Sequence, residues 1–226
     1  MGYSGQSGCP IFCMDKIRGE MGMKKTLILL AGYPATGKSF LCKKICSRYP
    51  EFRILSQDEL KEALWDEHGF DNMEEKTALE MKSWECYYEQ MNRRMKAGEQ
   101  IISDYPFSDK QKDRIRIIAE ANQYQVVTFR LTGDIDVLYE RSRSRDVDPS
   151  RHLGHLVSRY HKGDQMNDRG SADCLVTYEI FKERCLTRGY DRFELGHLLE
   201  IDVTDYSRID YEGILDRLGL LLEGEG

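Results

Sequence analysis

The sequence predicts an α/β protein with a five-stranded parallel sheet, helices on both faces and one irregular insert. Short apolar runs alternate with amphipathic helical segments along most of the 226 residues. This alternation is typical of a parallel sheet, because each crossover between parallel strands needs a helix. A glycine-rich turn also joins the first apolar run to the first helix. The chain is long enough to bury one sizeable core.

Five segments are predicted to be the strands. The first, "KKTLILLAG", is a continuous apolar run that ends at a glycine, which is typical of a strand buried on both faces. The others follow in chain order as "FRILSQ", "EQIISD", "QVVTFRL" and "HLLEIDVT".

Helices are predicted after each strand. The first, "KSFLCKKICSRYP", carries apolar residues at helical spacing and stops at Pro50. Ser108 is expected to cap the helix that follows the third strand. The later helices are "DELKEALWDEHG", residues 73–97, "SDKQKDRIRIIAEANQ", "DIDVLYERSRSRD", residues 174–188 and "DYEGILDRLGLLL".

Two segments fall outside this pattern. Residues 1–22 have no periodicity, no basic start and no cleavage site, so we expect a disordered tail before a single domain over residues 23–226. Residues 146–172 are longer than an ordinary connection and rich in His, Arg and Gly. Long inserts of this kind are often lids or binding segments, and we predict that residues 146–172 form a lid.

Composition disfavours two classes of partner. No apolar run approaches the roughly 20 residues that span a bilayer, so no membrane partner is expected. The 39 acidic and 33 basic residues leave a net charge of −6, whereas proteins that grip long nucleic acids usually carry a basic stripe. Nucleic acid is therefore an unlikely partner and a small substrate is favoured. The seven cysteines form no CxxC pair, which is typical of reduced thiols in a cytoplasmic protein.

A phosphate-binding loop is predicted between the first strand and the first helix. "GYPATGKS" fits the pattern GxxxxGK[ST]. The glycines permit a tight loop whose backbone N–H groups face a ligand, and the next helix presents the positive end of its dipole. Lys38 is expected to reach the β- and γ-phosphates, and the Ser39 hydroxyl to bind Mg²⁺. The predicted nucleoside triphosphate site consists of Gly32, Tyr33, Pro34, Ala35, Thr36, Gly37, Lys38, Ser39 and Phe40.

The third strand ends in "IISD", which places a carboxylate beside the predicted loop. Asp104 would hold Mg²⁺ or its waters together with Ser39; the alternative is a strand-end cap. Tyr105 stands where hydrolytic motors keep a water-activating glutamate, and no NKxD-type guanine signature occurs. Both observations disfavour a motor or a GTPase.

Transfer rather than hydrolysis is suggested by two further sites. Asp58 follows the second strand, at the sheet edge where ligands bind, and could accept the proton of an attacking hydroxyl. It could equally be the N-cap of the next helix, and the two roles can coexist. Arg141 and Arg145 lie four residues apart on one helix face, where two guanidinium groups can clamp a transferring phosphoryl group. A solvated helix face is the alternative.

Four stretches together carry a resemblance. "GYPATGKS", "SQDEL", "IISD" and "YERSRSRD", in this order and spacing, resemble the small AAA-type ATP-binding P-loop kinases related to phage polynucleotide kinase, zeta-toxin-like kinases and chloramphenicol phosphotransferase. The resemblance covers about residues 24–222 and is firm only in the P-loop. Residues 146–172 match none of these kinases well, so the acceptor cannot be carried over.

The resemblance implies a P-loop NTPase fold with a nucleoside-monophosphate-kinase-like sheet, and ATP-dependent transfer to a hydroxyl with Mg²⁺. It implies that Asp58 is the base and that Arg141 and Arg145 are lid arginines. The residues after the last strand, about 203–207, would lie near the adenine. Asp104 matches the position after the third strand.

The lid concentrates cations. Arg151, His152 and His155 are predicted to bind an anionic acceptor or the ATP phosphates when the lid closes over the reaction; an ordinary polar loop is the alternative.

Three functions remain open. The first is a kinase that acts on a small-molecule hydroxyl, and the second is a polynucleotide 5′-hydroxyl kinase. The third is a nucleotide-binding switch without transfer. The sequence leaves the acceptor and the oligomeric state undetermined.

Overall fold

The computed structural model describes residues 23–223, so the predicted tail over residues 1–22 lies outside the described residues. The strands are β1 (Thr26–Gly32), β2 (Arg53–Ile54), β3 (Ile101–Asp104), β4 (Gln125–Thr132) and β5 (His197–Asp202). The α-helices are α1 (Lys38–Arg48), α2 (Gln57–His68), α3 (Met73–Lys96), α4 (Asp109–Ala121), α5 (Ile135–Val147), α6 (Tyr178–Thr187) and α7 (Tyr211–Glu223).

All five strands are parallel and lie in the order β2-β3-β1-β4-β5. Leu30 of β1 is opposite Asp104 of β3, and Gly32 is opposite Leu131 of β4. The carboxyl ends of the strands therefore meet at one edge, where ligands bind in open α/β sheets. The predicted fold class is confirmed.

Helices cover both faces of the sheet because side chains alternate along β1. Ile28 and Leu30 pack into a core formed with α1, α5, α6 and α7. Leu27 and Leu29 point to the opposite face and pack into a core formed with α3 and α4. No helix within residues 23–223 combines the length and the apolar character that crossing a membrane would need.

Three boundaries differ from the sequence-based expectation. β2 is only two residues long, and α6 begins at Tyr178 because Thr177 caps it. α2 begins at Gln57, since the Ser56 hydroxyl accepts the N–H of Glu59 at 3.3 Å. Asp58 therefore lies inside the first turn of α2, and its alternative role as N-cap is wrong.

The predicted lid segment, residues 146–172, is packed against the rest of the chain. The Phe70 and Tyr160 backbones pair in an antiparallel bridge, and the Lys76 ammonium donates to the Val157 carbonyl at 2.9 Å. Apolar side chains of the segment and of α2 form a third core, made of Trp65, Phe70, Leu153, Leu156, Val157, Tyr160 and Ala172.

Candidate active site

The loop between β1 and α1 has the backbone geometry of a phosphate cradle. Gly32, Ala35 and Gly37 all have positive φ, at 102°, 61° and 78°. A Cβ on Gly32 would lie 1.9 Å from the Leu131 carbonyl oxygen, so only glycine fits there. No side chain caps the N-terminus of α1. Its first N–H groups are therefore left to an anion, as its dipole favours.

Lys38 is folded back over this loop. Its ammonium donates to the Tyr33 carbonyl at 2.5 Å and to the Thr36 hydroxyl at 3.2 Å. Burial lowers the pKa of Lys38 to about 7; nearby Asp104 opposes this shift and Arg145 adds to it. A lysine held this way is close to losing its proton until an anion is near it.

Ser39 and Asp104 form a direct pair at the end of β3. The Ser39 hydroxyl donates to the Asp104 carboxylate at 2.6 Å. Burial raises the pKa of Asp104, although the hydrogen bond from Ser39 opposes the shift. Two adjacent oxygen donors beside a phosphate loop fit Mg²⁺, which takes few protein ligands and is completed by phosphates and water.

Asp58 enters the site from the first turn of α2. Its carboxylate accepts from the Lys61 ammonium at 2.6 Å. Burial alone would raise the pKa of Asp58, but Lys61, His155 and Arg151 outweigh it and hold the pKa well below its ordinary value. Asp58 is therefore an ionised carboxylate at neutral pH, oriented by Lys61.

Arg141 lines the P-loop cavity and is also bonded to the backbone, and its role as a phosphate clamp stays a prediction. Its guanidinium donates to the Val203 carbonyl at 2.7 Å and to the Thr204 carbonyl at 2.9 Å. The same group lies 3.9 Å from the centre of the Tyr206 ring, within the distance of a cation–π interaction. Arg141 is thus fixed to the loop after β5, the loop expected to lie near the adenine.

Arg145 is more exposed than Arg141. It bonds to its neighbour Asp146 at 2.8 Å, and 42% of its side chain stays exposed. Arg143, between the two, points to solvent.

The three predicted lid residues lie in two different environments. Arg151 faces the cavity, whereas His152 and His155 do not line it. The His155 ring lies 2.6 Å from the Glu62 carboxylate, and the His152 ring lies 3.1 Å from that of Asp66. Burial lowers the pKa of His155 to about 4. Both histidines attach the segment to α2, which differs from their predicted contact with an acceptor.

A cavity of about 570 Å³ joins most of these groups, and we call it the P-loop cavity. Seven cationic and two anionic side chains line it, in a chain of net charge −6. It is therefore a positively charged cavity, suited to an anion, in an acidic protein. Its lining residues are Pro34, Ala35, Thr36, Gly37, Lys38, Ser39, Asp58, Lys61, Asp104, Tyr105, Pro106, Arg141, Arg145, Arg151, Arg184, Arg188, Tyr190 and Tyr206.

Three residues of the predicted ATP site do not line this cavity. Gly32 acts through the backbone, and the Tyr33 side chain is buried in the core beside α1. Phe40 is 53% exposed and packs edge-on against Tyr211. The P-loop contribution to the cavity is therefore residues 34–39.

Sequence reasoning missed four cavity residues: Lys61, Arg184, Arg188 and Tyr190. The spacing of the cations was the signal available in the sequence. Lys61 lies three residues after Asp58, and Arg188 lies four residues after Arg184, so each pair is expected to share a helix face. Nothing in the sequence indicated that the end of α6 would approach the P-loop. No cluster of three potential His, Cys, Asp or Glu metal ligands occurs within the described part of the chain.

Comparisons with known proteins support the fold. Residues 27–160 match the family model described as an AAA domain. A search of curated protein sequences gives no significant match. A protein of Chloroflexus aurantiacus, provisionally described as a kinase, superposes with a TM-score of 0.65 at 22% identity, covering 89% of this chain and 97% of that one. A gluconokinase of Sinorhizobium meliloti superposes with a TM-score of 0.52 at 16% identity, covering 89% and 95%.

At these identities, the structural likeness establishes the fold alone. The matched family model spans the phosphate loop, Asp58, Asp104, Arg141, Arg145 and Arg151. The chain therefore belongs to the AAA-domain family and shares the fold of the kinases on which it superposes.

Proposed function

We propose that this protein is an ATP-dependent phosphotransferase that moves the γ-phosphate of ATP·Mg²⁺ to a hydroxyl group of a small molecule. One observation carries the proposal: Asp58 and the P-loop line the same cavity. A carboxylate that can accept a proton thus lies in the same cavity as a loop that can hold phosphates.

The nucleotide phosphates would lie on the backbone of residues 34–39 and at the first turn of α1. The adenine would lie near the Arg141–Tyr206 stack. Tyr206 is 39% exposed, and its hydroxyl is 3.0 Å from the place that a Cβ of Gly37 would take. A flat aromatic surface next to the loop suits a purine ring.

In the transfer step, the acceptor oxygen bonds to the γ-phosphorus while the bond from that phosphorus to the β–γ bridging oxygen breaks, and ADP leaves. The acceptor proton passes to Asp58. Because the pKa of Asp58 lies well below its ordinary value, this carboxylate positions the hydroxyl and takes the proton late, when the forming P–O bond has made the proton acidic.

Lys38 and Arg145 stabilise the charge on the transferring group. Ser39 and Asp104 would hold the magnesium ion, which neutralises charge on the phosphates. We propose that residues 146–172 form the lid of one domain over residues 23–226, and that the lid excludes water. The five described cysteines are free thiols, which supports a cytoplasmic location.

The test is a transfer assay with γ-labelled ATP and Mg²⁺ against pools of sugars, nucleosides, other small metabolites and a 5′-hydroxyl oligonucleotide. Lys38→Met should abolish the labelled product. Lys43→Met, an exposed lysine on the same helix, should not. A product that survives Lys38→Met would contradict the proposal.

The same assay separates the two alternatives. Label in the oligonucleotide, with a rate that falls steeply with salt, would indicate a polynucleotide kinase. Tight ATP binding without any labelled product would indicate a nucleotide switch.

A further inference from the structure

The Arg151 side chain is a mostly buried cation that forms no hydrogen bond among the described residues. Only 20% of its side chain is exposed, and its Nε atom is buried and unpaired. The nearest carboxylate, Asp146, is 3.8 Å away and is already paired with Arg145 at 2.8 Å. A buried polar group without a partner is costly. An anion from outside the chain, bound to the Arg151 guanidinium, would supply the missing hydrogen-bond partner.

Two arginines at the end of α6, one in its last turn and one directly after it, extend this positive surface. Arg184 and Arg188 are four residues apart and both line the P-loop cavity. Neither forms an ion pair within residues 23–223. The one side-chain hydrogen bond of Arg188 there is to the Tyr190 hydroxyl, at 3.3 Å.

The nucleotide alone does not account for this charge. Seven cations and two carboxylates line the cavity. A nucleoside triphosphate with its magnesium ion brings roughly two net negative charges, since the metal offsets about half of those on the phosphates. Positive charge is therefore left over after the nucleotide has bound.

One of these cations, Arg151, lies beside Asp58 in the cavity. Arg151 is close enough to lower the pKa of Asp58. The pKa of Tyr105, raised by burial, also responds to both Asp58 and Arg188. Arg151 thus lies beside the proposed base, where the acceptor hydroxyl must be, and Arg188 lines the same cavity.

We propose that the acceptor carries an oxyanion, a carboxylate or a phosphate, besides the hydroxyl that is phosphorylated, and that Arg151, Arg184 and Arg188 hold this group. The inference rests on the proposed function. Charge-assisted hydrogen bonds from guanidinium groups hold oxyanions in a fixed orientation. Binding the anion in this way turns the acceptor hydroxyl toward Asp58.

The first experiment uses inorganic phosphate as the probe. The full chain is saturated with Mg²⁺ and the non-hydrolysable analogue AMP-PNP, so that the P-loop is filled. Phosphate is then titrated at constant ionic strength, and binding is followed by the shift in melting temperature. We expect a saturable increase that chloride does not produce.

Matched variants identify the site. Arg151→Gln and Arg188→Gln should each weaken phosphate binding by about 10- to 100-fold, the range for a charged hydrogen bond. AMP-PNP affinity should change less than about threefold. Arg143→Gln, an exposed arginine outside the cavity, should change neither. No saturable shift, or an unchanged shift in Arg151→Gln, would overturn the inference. A large loss of AMP-PNP affinity in Arg151→Gln and Arg188→Gln would also overturn it, because these arginines would then bind nucleotide.

A second experiment separates metabolites on an anion-exchange resin before the transfer assay. The resin should retain the acceptor activity, and the retained acceptor should be a small molecule. The KM for this fraction should rise in Arg151→Gln while the KM for ATP stays nearly constant. Acceptor activity in the neutral flow-through, or only in an oligonucleotide, would overturn the inference while leaving transfer itself established. AMP-PNP that fails to bind would instead contradict the proposed function, and a phosphate-induced shift that persists in Lys38→Met but is lost in Arg151→Gln would then still locate the anion site.

Discussion

Nucleotide binding should draw a proton from solution, because Lys38 is held in a partly neutral state. Its pKa is lowered from 10.5 to about 7 in the free protein, chiefly by burial. A nucleotide phosphate next to the ammonium favours its charged form and returns the pKa toward its ordinary value. Binding therefore fills a proton site that is mostly empty above neutral pH.

The size of the effect follows from the pKa. At pH 8, a group with a pKa of about 7 is about one-tenth protonated. Binding of Mg²⁺ and AMP-PNP should then take up about 0.9 proton per nucleotide at pH 8, and only about 0.1 at pH 6.

Isothermal titration calorimetry in buffers of different ionisation enthalpy measures this number. Lys38→Arg is the matched control, since arginine stays protonated at both pH values, and it should take up almost no proton at pH 8. An uptake below about 0.3 proton at pH 8 in the unsubstituted protein would refute the reasoning about Lys38.

Three further predictions concern the base, the loop and the lid. Asp58→Asn should lower turnover by about 10²- to 10⁴-fold with AMP-PNP affinity retained in calorimetry; full turnover would remove Asp58 from the mechanism. Gly32→Ala should lower the free energy of unfolding by about 3 kcal/mol or more, because its Cβ would lie 1.9 Å from a backbone oxygen. Gly98→Ala, with no atom within 4 Å of the new Cβ, should cost clearly less in the same urea titration. His155 has a pKa lowered from 6.5 to about 4, so the unfolded chain binds more protons across this interval. The free energy of unfolding should fall as pH decreases from about 6.5 to 4; an identical pH profile for His155→Gln would contradict this.

Much of the fold was predictable because its signals are local. The apolar run of β1 and the alternation of strands and helices indicated a parallel sheet without any long-range information. The boundaries that moved depend on single caps, such as Ser56 for α2 and Thr177 for α6.

The site was predictable only where the residues belong to a motif or follow a strand. Ser39 in the first turn of α1 and Asp104 at the end of β3 do form a pair, as expected where neighbouring parallel strands end at one edge of the sheet. Arg141 could not be placed from the helix pattern, because its position depends on carbonyls of the loop after β5. The side chains of His152 and His155 turn to α2, since carboxylates there offer them partners.

The sequence by itself determined the sheet, the phosphate loop and the carboxylates at the strand ends, because short-range patterning and backbone geometry decide these features. Only the tertiary structure decided that Arg151 of the predicted lid segment, Arg184 of α6 and Arg188 directly after α6 line one cavity together with Asp58. The physical reason is that their meeting depends on how the lid packs against α2 and α3 and how α6 packs against the sheet. Contacts between side chains that are distant in sequence determine this packing. Such contacts produce no periodic pattern of apolar residues along the sequence.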